Sequence, residues 1–345
     1  MTTITHLARR AATIAVVALL AVFIALTGAA PADAQQVNPR ELSVQEEQLM
    51  QQLQRGEAVS GRVSIPNERA GNLITPAGRD WSNLHRGTMF TITVGVIVGM
   101  LVLLAAFYLI KGKVRIESGW SGRTLQRFNT VERFGHWLTA TTFILLALTG
   151  LNLVVGRMLI LPLVGEEAFG TMTAWGKVIH NYVAWPFMLG LLIIFALWVR
   201  DNIPSKVDAE WIRNFGGFFK KGVHPPAARF NAGQKVIFWS VIIGGAALSV
   251  TGIFLIFPEL NASFTGWQWM QTIHGIGAAI MIAIILAHIY IGSVGMEGAF
   301  DAMGSGKVDL NWAREHHSLW VEDELGRGEA KPRPGGAERP VAPAE

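Results

Sequence analysis

An all-α, integral membrane helical bundle is the fold class this 345-residue sequence predicts, and three observations predict it. Hydrophobic residues make up 51% of the chain and charged ones 16%, and the mean hydropathy is +0.35, a balance that suits lipid rather than a soluble core. Apolar stretches of about 20 residues, the length that crosses a bilayer, recur along the chain. Lys and Arg gather in the segments between those stretches, so the net charge of +4 reads as membrane topology, with lipid and not nucleic acid as the surrounding partner.

The N-terminus carries Arg9-Arg10, an apolar run from Ala11 to Ala30, and an Ala-x-Ala that ends at Ala34. It resembles a cleaved secretory signal over 1–34, with a retained anchor as the alternative reading; both export Gln35. Residues 35–87 are polar, with Gly and Pro, and are read as an exported extension. The first mature span is Met89 to Ile110, within a transmembrane segment at 88–111.

The loop that follows carries Lys111, Lys113, Arg115, Arg123 and Arg127, which places it in the cytoplasm by the positive-inside rule. Spans at His136–Val155, Val178–Val199, Val236–Phe257 and Thr272–Val294 then alternate in direction. Their loops agree: Arg200 to Lys235 holds seven Lys or Arg, whereas Pro258 to Gln271 holds none. The mature N-terminus is expected in the periplasm and the C-terminus in the cytoplasm of a multi-pass inner-membrane protein. The Pro-, Gly- and Ala-rich stretch at 323–345 is expected to be a disordered tail. Trp81, Trp120, Trp175, Trp267 and Trp269 fall near span ends, where amphipathic rings anchor a helix.

The chain has no cysteine, which excludes disulfides, thiolate-held iron–sulfur clusters and covalent c-type haem. A metal centre must therefore rest on histidine or oxygen. Of nine histidines, His136, His180, His274 and His288 lie in or at the ends of apolar spans. Such residues are costly in lipid and are functional candidates by default. His274 and His288 share one span. Fourteen residues at about 1.5 Å each separate them by roughly 21 Å, and about 1400° of helical rotation returns both to one face.

Depth sorts the four into two pairs, His180 with His274 on the exported side and His136 with His288 on the cytoplasmic side. Two bis-histidine pairs stacked across a bilayer suit two b-type haems, each held axially by neutral imidazoles. Gly135, Gly176, Gly275 and Gly277 beside them offer room for a flat macrocycle, or else pack helices. Proton relays and zinc or copper sites are the rival uses of such histidines. His6, His85 and His224 lie in the targeting segment, at an interface and in a loop, and His316-His317 is expected at a surface or partner contact.

The stretches RFNTVERFGHW, KVIHNYVAWPF, DNIPSK, RFNAGQKVIFWS, IHGIGAAIMIAIILAHIYIG and GKVDLNWAREHHSLW carry a resemblance. Over Phe128 to Glu322 the chain resembles the cytochrome b gamma subunits of membrane-bound respiratory formate dehydrogenases, within the wider di-haem cytochrome b family. The resemblance implies a four-helix di-haem domain at 112–322, to which the span at 88–111 is an addition. It implies His136, His180, His274 and His288 as the haem-iron ligands in the pairing that depth suggests. It also implies a quinone site on the cytoplasmic side at Asn231 and Gly233, where Gln234 is a further candidate. Asn231 has an alternative reading as a helix N-cap.

By the same resemblance, the partners are an exported iron–sulfur beta subunit and a molybdenum- or tungsten-containing alpha subunit that oxidises formate. This chain holds no catalytic residue for that oxidation. Its expected part is electron transfer from the exported side to quinone near the cytoplasm. Arg133, Arg157 and Lys177 are near enough to the histidines in sequence to be candidates for haem propionates, and Trp137 and Trp185 for flanking a haem. The rival readings are the cytochrome b of a nickel–iron hydrogenase or thiosulfate reductase, and, from another class, a membrane anchor or proton-relay transporter.

Overall fold

The computed structural model describes residues 83–220, 222–326 and 331–332, together with Gln51, Gln54, Arg55 and Trp81. The expected signal and nearly all of the exported extension lie outside the described residues, as does most of the expected tail. The chain divides into two compact units, Met1–Leu84 with Gly165–Trp175, and His85–Val164 with Gly176–Glu345. The described part of the first is a few N-terminal residues and the opening turns of one long helix. The second holds the helices below and the candidate site.

Five helices among the described residues are long and apolar enough to cross a membrane. They are α1 (Met89–Lys111), α2 (Thr130–Leu159), α3 (Glu166–Trp198), α5 (Ala232–Ile256) and α6 (Phe264–Tyr290). Between α3 and α5 lies the short amphipathic α4 (Lys206–Arg213). Leu103, Leu109, Ile110, Leu192 and Ile243 are exposed, which a water-soluble surface would not sustain in such number but lipid does. This is an all-α, multi-pass membrane bundle.

The helices start before the apolar stretches do. Asn129 caps α2, accepting from the Glu132 backbone N–H at 3.0 Å while the Glu132 carboxylate accepts from the Asn129 N–H at 2.9 Å. Asn231 and Gln234 form the same reciprocal box on α5. A Ser263 hydroxyl caps α6. These caps lie in polar segments, so hydropathy alone set the span starts several residues late.

Glycines bring the helices together. A methyl group on Gly190 of α3 would lie 2.5 Å from the Thr139 hydroxyl of α2, and one on Gly245 of α5 would lie 2.8 Å from Leu191 of α3. Helix α1 packs on α6, where Met89 fills the place a side chain on Gly275 would take. Such close backbone approach is how helices associate where lipid gives no hydrophobic drive.

A small polar cap closes one end. Strand β1 (Arg123–Gln126) pairs antiparallel with both β2 (Lys307–Asp309) and β3 (Lys331–Pro332), giving the order β2-β1-β3. Two short helices follow β2, α7 (Leu310–His316) and α8 (Ser318–Gly326). Buried carboxylates staple the loop after α1 to this cap: Glu315 accepts from the Glu117 and Ser118 N–H groups at 3.0 and 2.8 Å, and Asp309 from Ser121. Hydropathy could not reveal this sheet, because its strands are two to four residues long and its register joins segments more than 180 residues apart.

Candidate functional site

At the end of the bundle away from the sheet, α3 presents His180 and α6 presents His274. Their ring centroids are 6.2 Å apart with planes at 66°. Each ring is held by a threonine from the neighbouring helix. The Thr149 hydroxyl sits 2.7 Å from the Leu145 carbonyl and 2.8 Å from His180 Nδ1. The Thr251 hydroxyl sits 2.8 Å from the Ala247 carbonyl and 2.9 Å from His274 Nδ1. With the single hydroxyl proton directed to the helix carbonyl, the oxygen accepts from the imidazole N–H, which assigns the proton to Nδ1 and leaves Nε2 bare.

At the sheet end, His136 of α2 and His288 of α6 have ring centroids 6.1 Å apart and planes at 61°. His136 Nδ1 is buried without a hydrogen-bond partner. Trp137, next to it, donates its indole N–H to the Met303 carbonyl at 3.0 Å. Arg133 donates to the Met303 and Gly304 carbonyls, so this candidate for a propionate is engaged by the cap instead.

Two imidazoles that reach one metal from opposite sides at about 2 Å place their centroids roughly 6 Å apart. Both pairs have that spacing. Among the described residues no group of three or more His, Asp or Glu could hold a metal ion, and a pair of imidazoles is a donor set that suits haem iron. The donor set therefore fits a b-type haem at each end.

A family model described as prokaryotic cytochrome b561 matches residues 127–306. The chain belongs to the prokaryotic cytochrome b561 family. That membership implies haem b. The cytochrome is 30% identical over 213 residues to the nitrate-inducible formate dehydrogenase cytochrome b556(Fdn) subunit of Escherichia coli K12, covering 61% of this chain and 95% of the relative. It is 27% identical over 203 residues to the formate dehydrogenase cytochrome b556(fdo) subunit of the same strain, covering 58% and 93%. The formate dehydrogenase cytochrome b556 subunit of Haemophilus influenzae is 26% identical over 203 residues, covering 58% and 83%.

The other predicted residues of the cytochrome are placed as follows. Asn231 and Gln234 cap α5 through each other's oxygens, at 3.0 and 3.1 Å. Each keeps an amide NH2 as a donor. Gly233 packs against Trp211, whose ring atom would lie 2.9 Å from an added methyl. Beside this cap a 580 Å3 cavity opens between α5 and α6, lined among others by Asp208, Lys235, Trp239 and Ile284. The Lys235 ammonium donates to Asp208 at 2.9 Å and to the Ile203 carbonyl at 3.1 Å. Burial raises the Asp208 carboxyl, but its bonds to Lys235 and Ser205 outweigh that and hold it below the usual range.

Two expectations are corrected. Gly135 and Gly275 do not open space beside the imidazoles: a methyl on Gly135 would meet Ile193 at 2.8 Å, and one on Gly275 would meet Met89 at 2.7 Å. Helix packing is their use. The glycines that face the imidazoles are Gly150 and Gly252, where an added methyl would be 3.4 Å from Cε1 of His180 and of His274 respectively. Each follows the threonine that holds the ring, and a repeated Thr-Gly pair in facing helices was the signal to find them.

His317 is not at a surface. It is fully buried, receives a bond from the Arg127 guanidinium at 3.0 Å and donates Nδ1–H to the Ala228 carbonyl at 2.9 Å. Arg127 itself lies 5.0 to 5.6 Å from the ring centres of Phe128, Trp312 and Trp320. Burial first, and the charge of Arg229 second, lower Arg127 to about 9. Burial and Arg127 hold His317 well below its usual value. An HH pair in a polar stretch has no periodicity that announces burial, because the cap that covers it is assembled from distant segments.

Proposed function

We propose that this cytochrome is the membrane subunit of a formate dehydrogenase, carrying electrons from an exported iron–sulfur beta subunit to quinone near the cytoplasm. A molybdenum- or tungsten-containing alpha subunit would supply them from formate. The relatives' names support the complex, and the observation that carries the reading is the pair of bis-imidazole arrangements, 6.1 and 6.2 Å between rings, at the two ends of the bundle. Two haems b bound there supply reversible one-electron carriage across the membrane. The basic loops support a reading in which the sheet end faces the cytoplasm and the His180–His274 end the periplasm of an inner membrane.

In this reading the chain's residues hold, orient and insulate. His136, His180, His274 and His288 each offer a bare nitrogen to iron, and the helices around them exclude water. Asn231 and Gln234 would offer their remaining amide donors to a quinone carbonyl, and Gly233 lets the capping turn lie close to Trp211. The lining of the cavity beside them is mostly apolar, as a quinone needs, and Asp208 with Lys235 adds an ionisable pair to it. A proton from the cytoplasm would enter through that pair, which makes quinone reduction electrogenic.

Reduced-minus-oxidised spectra and haem content of single variants test the assignment. His180→Ala and His274→Ala should each lose the same haem, and His136→Ala and His288→Ala the other. A His274→Ala protein that retained two haems per chain would overturn it. Purification of the tagged full chain should bring down iron–sulfur and molybdenum- or tungsten-containing subunits.

A further inference from the structure

We propose that Thr149 and Thr251 are positioning residues that lower the redox potential of the exported-side haem relative to the cytoplasmic one, and so give electron flow its direction. This rests on the haem pairing proposed above.

The two threonines are a structural duplicate. Each sits one residue before a glycine, bonds back to its own helix carbonyl four residues earlier, and meets the Nδ1 of a histidine from the next helix at 2.8 or 2.9 Å. Gly150 and Gly252 face the rings, and a methyl in their place would lie 3.4 Å from the nearest ring atom, in van der Waals contact. Both threonines are buried, 4% and 6% exposed, so no solvent competes for these bonds. An imidazole that donates its second N–H to a well-fixed acceptor is held in one tautomer and one orientation, and more electron density reaches its metal-binding nitrogen. That favours oxidised iron over reduced iron and lowers the potential.

The sheet-end site lacks this device at His136, whose Nδ1 is buried without a partner. Among the described residues no acceptor meets that nitrogen to feed density into the ring, so iron held by it is easier to reduce. A lower potential at the exported end and a higher one at the cytoplasmic end would draw electrons inward. The transmembrane potential, positive outside, opposes that movement, so an intrinsic bias of this sign is what the reaction needs.

The test uses Thr149→Val, Thr251→Val and the matching Thr→Ser variants of the full chain in detergent, with potentiometric titration of the b-type bands and low-temperature electron paramagnetic resonance. Valine keeps the shape and removes the acceptor, whereas serine keeps the acceptor. The expected result is an upward shift of one midpoint potential in each valine variant, additive in the double variant, with a changed low-spin ferric signal from that haem alone. Serine should restore both. Loss of that haem from valine variants but not from serine variants also supports a positioning role. Unchanged potentials and signals in the valine variants overturn the proposal, as does a serine variant that behaves like valine. His180→Ala separates the two levels: if it keeps both haems, the ligand assignment has failed, and if it loses one while the valine variants titrate normally, only this inference has.

Discussion

Replacing Glu132 with glutamine should destabilise the cytochrome severely, although Glu132 touches no candidate ligand. The Glu132 carboxylate is 5% exposed and answers three donors: the Trp198 indole N–H at 2.9 Å, an Arg229 guanidinium N–H at 2.6 Å, and the Asn129 backbone N–H at 2.9 Å. The first two share Oε1 and the third uses Oε2. Glutamine keeps the volume but turns one oxygen into an NH2, so a donor must face a donor whichever way the amide is flipped. If the NH2 meets the Asn129 N–H, the α2 cap loses one bond and a buried donor is stranded, at about 1–3 kcal/mol. If it meets Trp198 and Arg229, two donors are stranded. In both cases Arg229 loses its charged partner inside the structure, and breaking a buried pair on one side costs about 3–5 kcal/mol. Arg229 keeps Asp201 at 2.8 Å, which offsets part of this, so about 2–4 kcal/mol is expected. Equilibrium unfolding in mixed micelles would measure it, and the double variant with Arg229→Met should recover part of the loss, since the stranded charge is then gone. A Glu132→Gln protein within about 0.5 kcal/mol of the parent would refute the reasoning, because surface-like substitutions fall in that range.

Two further outcomes follow from the same structure. Gly190→Val should destabilise the α2–α3 contact by about 1–3 kcal/mol, read as a lower midpoint of thermal unfolding in detergent. The relief is poor because backbone atoms of Thr139 lie 3.2 Å from the added carbon. The polar cap should loosen in acid. Burial holds the folded-state value of His317 well below 6.5, so its unfolded form binds the proton more readily; the stability present above about pH 6.5 is lost as pH falls below it, and lower amide protection over Lys307–Val321 near pH 5 than near pH 7, each rate divided by its intrinsic rate at that pH, would register this.

The long helices and the two histidine pairs were legible because both are periodic. Apolar runs declare their length, and the fourteen-residue interval between His274 and His288 fixes their shared face and separate depths from the geometry of one helix. What the sequence did not disclose depends on contacts between helices or between distant segments. Thr149 and Thr251 look like ordinary residues in apolar spans until α3 and α6 bring an imidazole to each. Asn231 offered a cap or a quinone contact, and the cap is made. His316-His317 looked like a polar surface pair because its cover comes from Arg127 and the Ala228 carbonyl, 190 and 89 residues away. The basic residues of the same loop supplied the topology, yet one of them, Arg127, is enclosed by three aromatic rings.

The contacts of α1 couple it to the same elements. Helix α1 approaches α6 through Met89 on Gly275, one residue from His274, while the loop that leaves α1 is fixed at the other end by Glu297, Glu315 and Asp309. Both attachments are to elements that also hold the histidines of α6 or the segment after it. A helix tied at one end to α6 and at the other to the segment after it braces the one element that supplies a histidine to each pair. A rotation of α6 by a few degrees would move His274 and His288 together, since they share its face, and would misalign both sites at once. Shortening the loop between α1 and β1 should therefore misalign both histidine pairs and broaden the ferric resonance signal of any haem bound at either, whereas a packing change confined to α5, which meets the His180–His274 pair through Thr251, should broaden the signal from that pair alone.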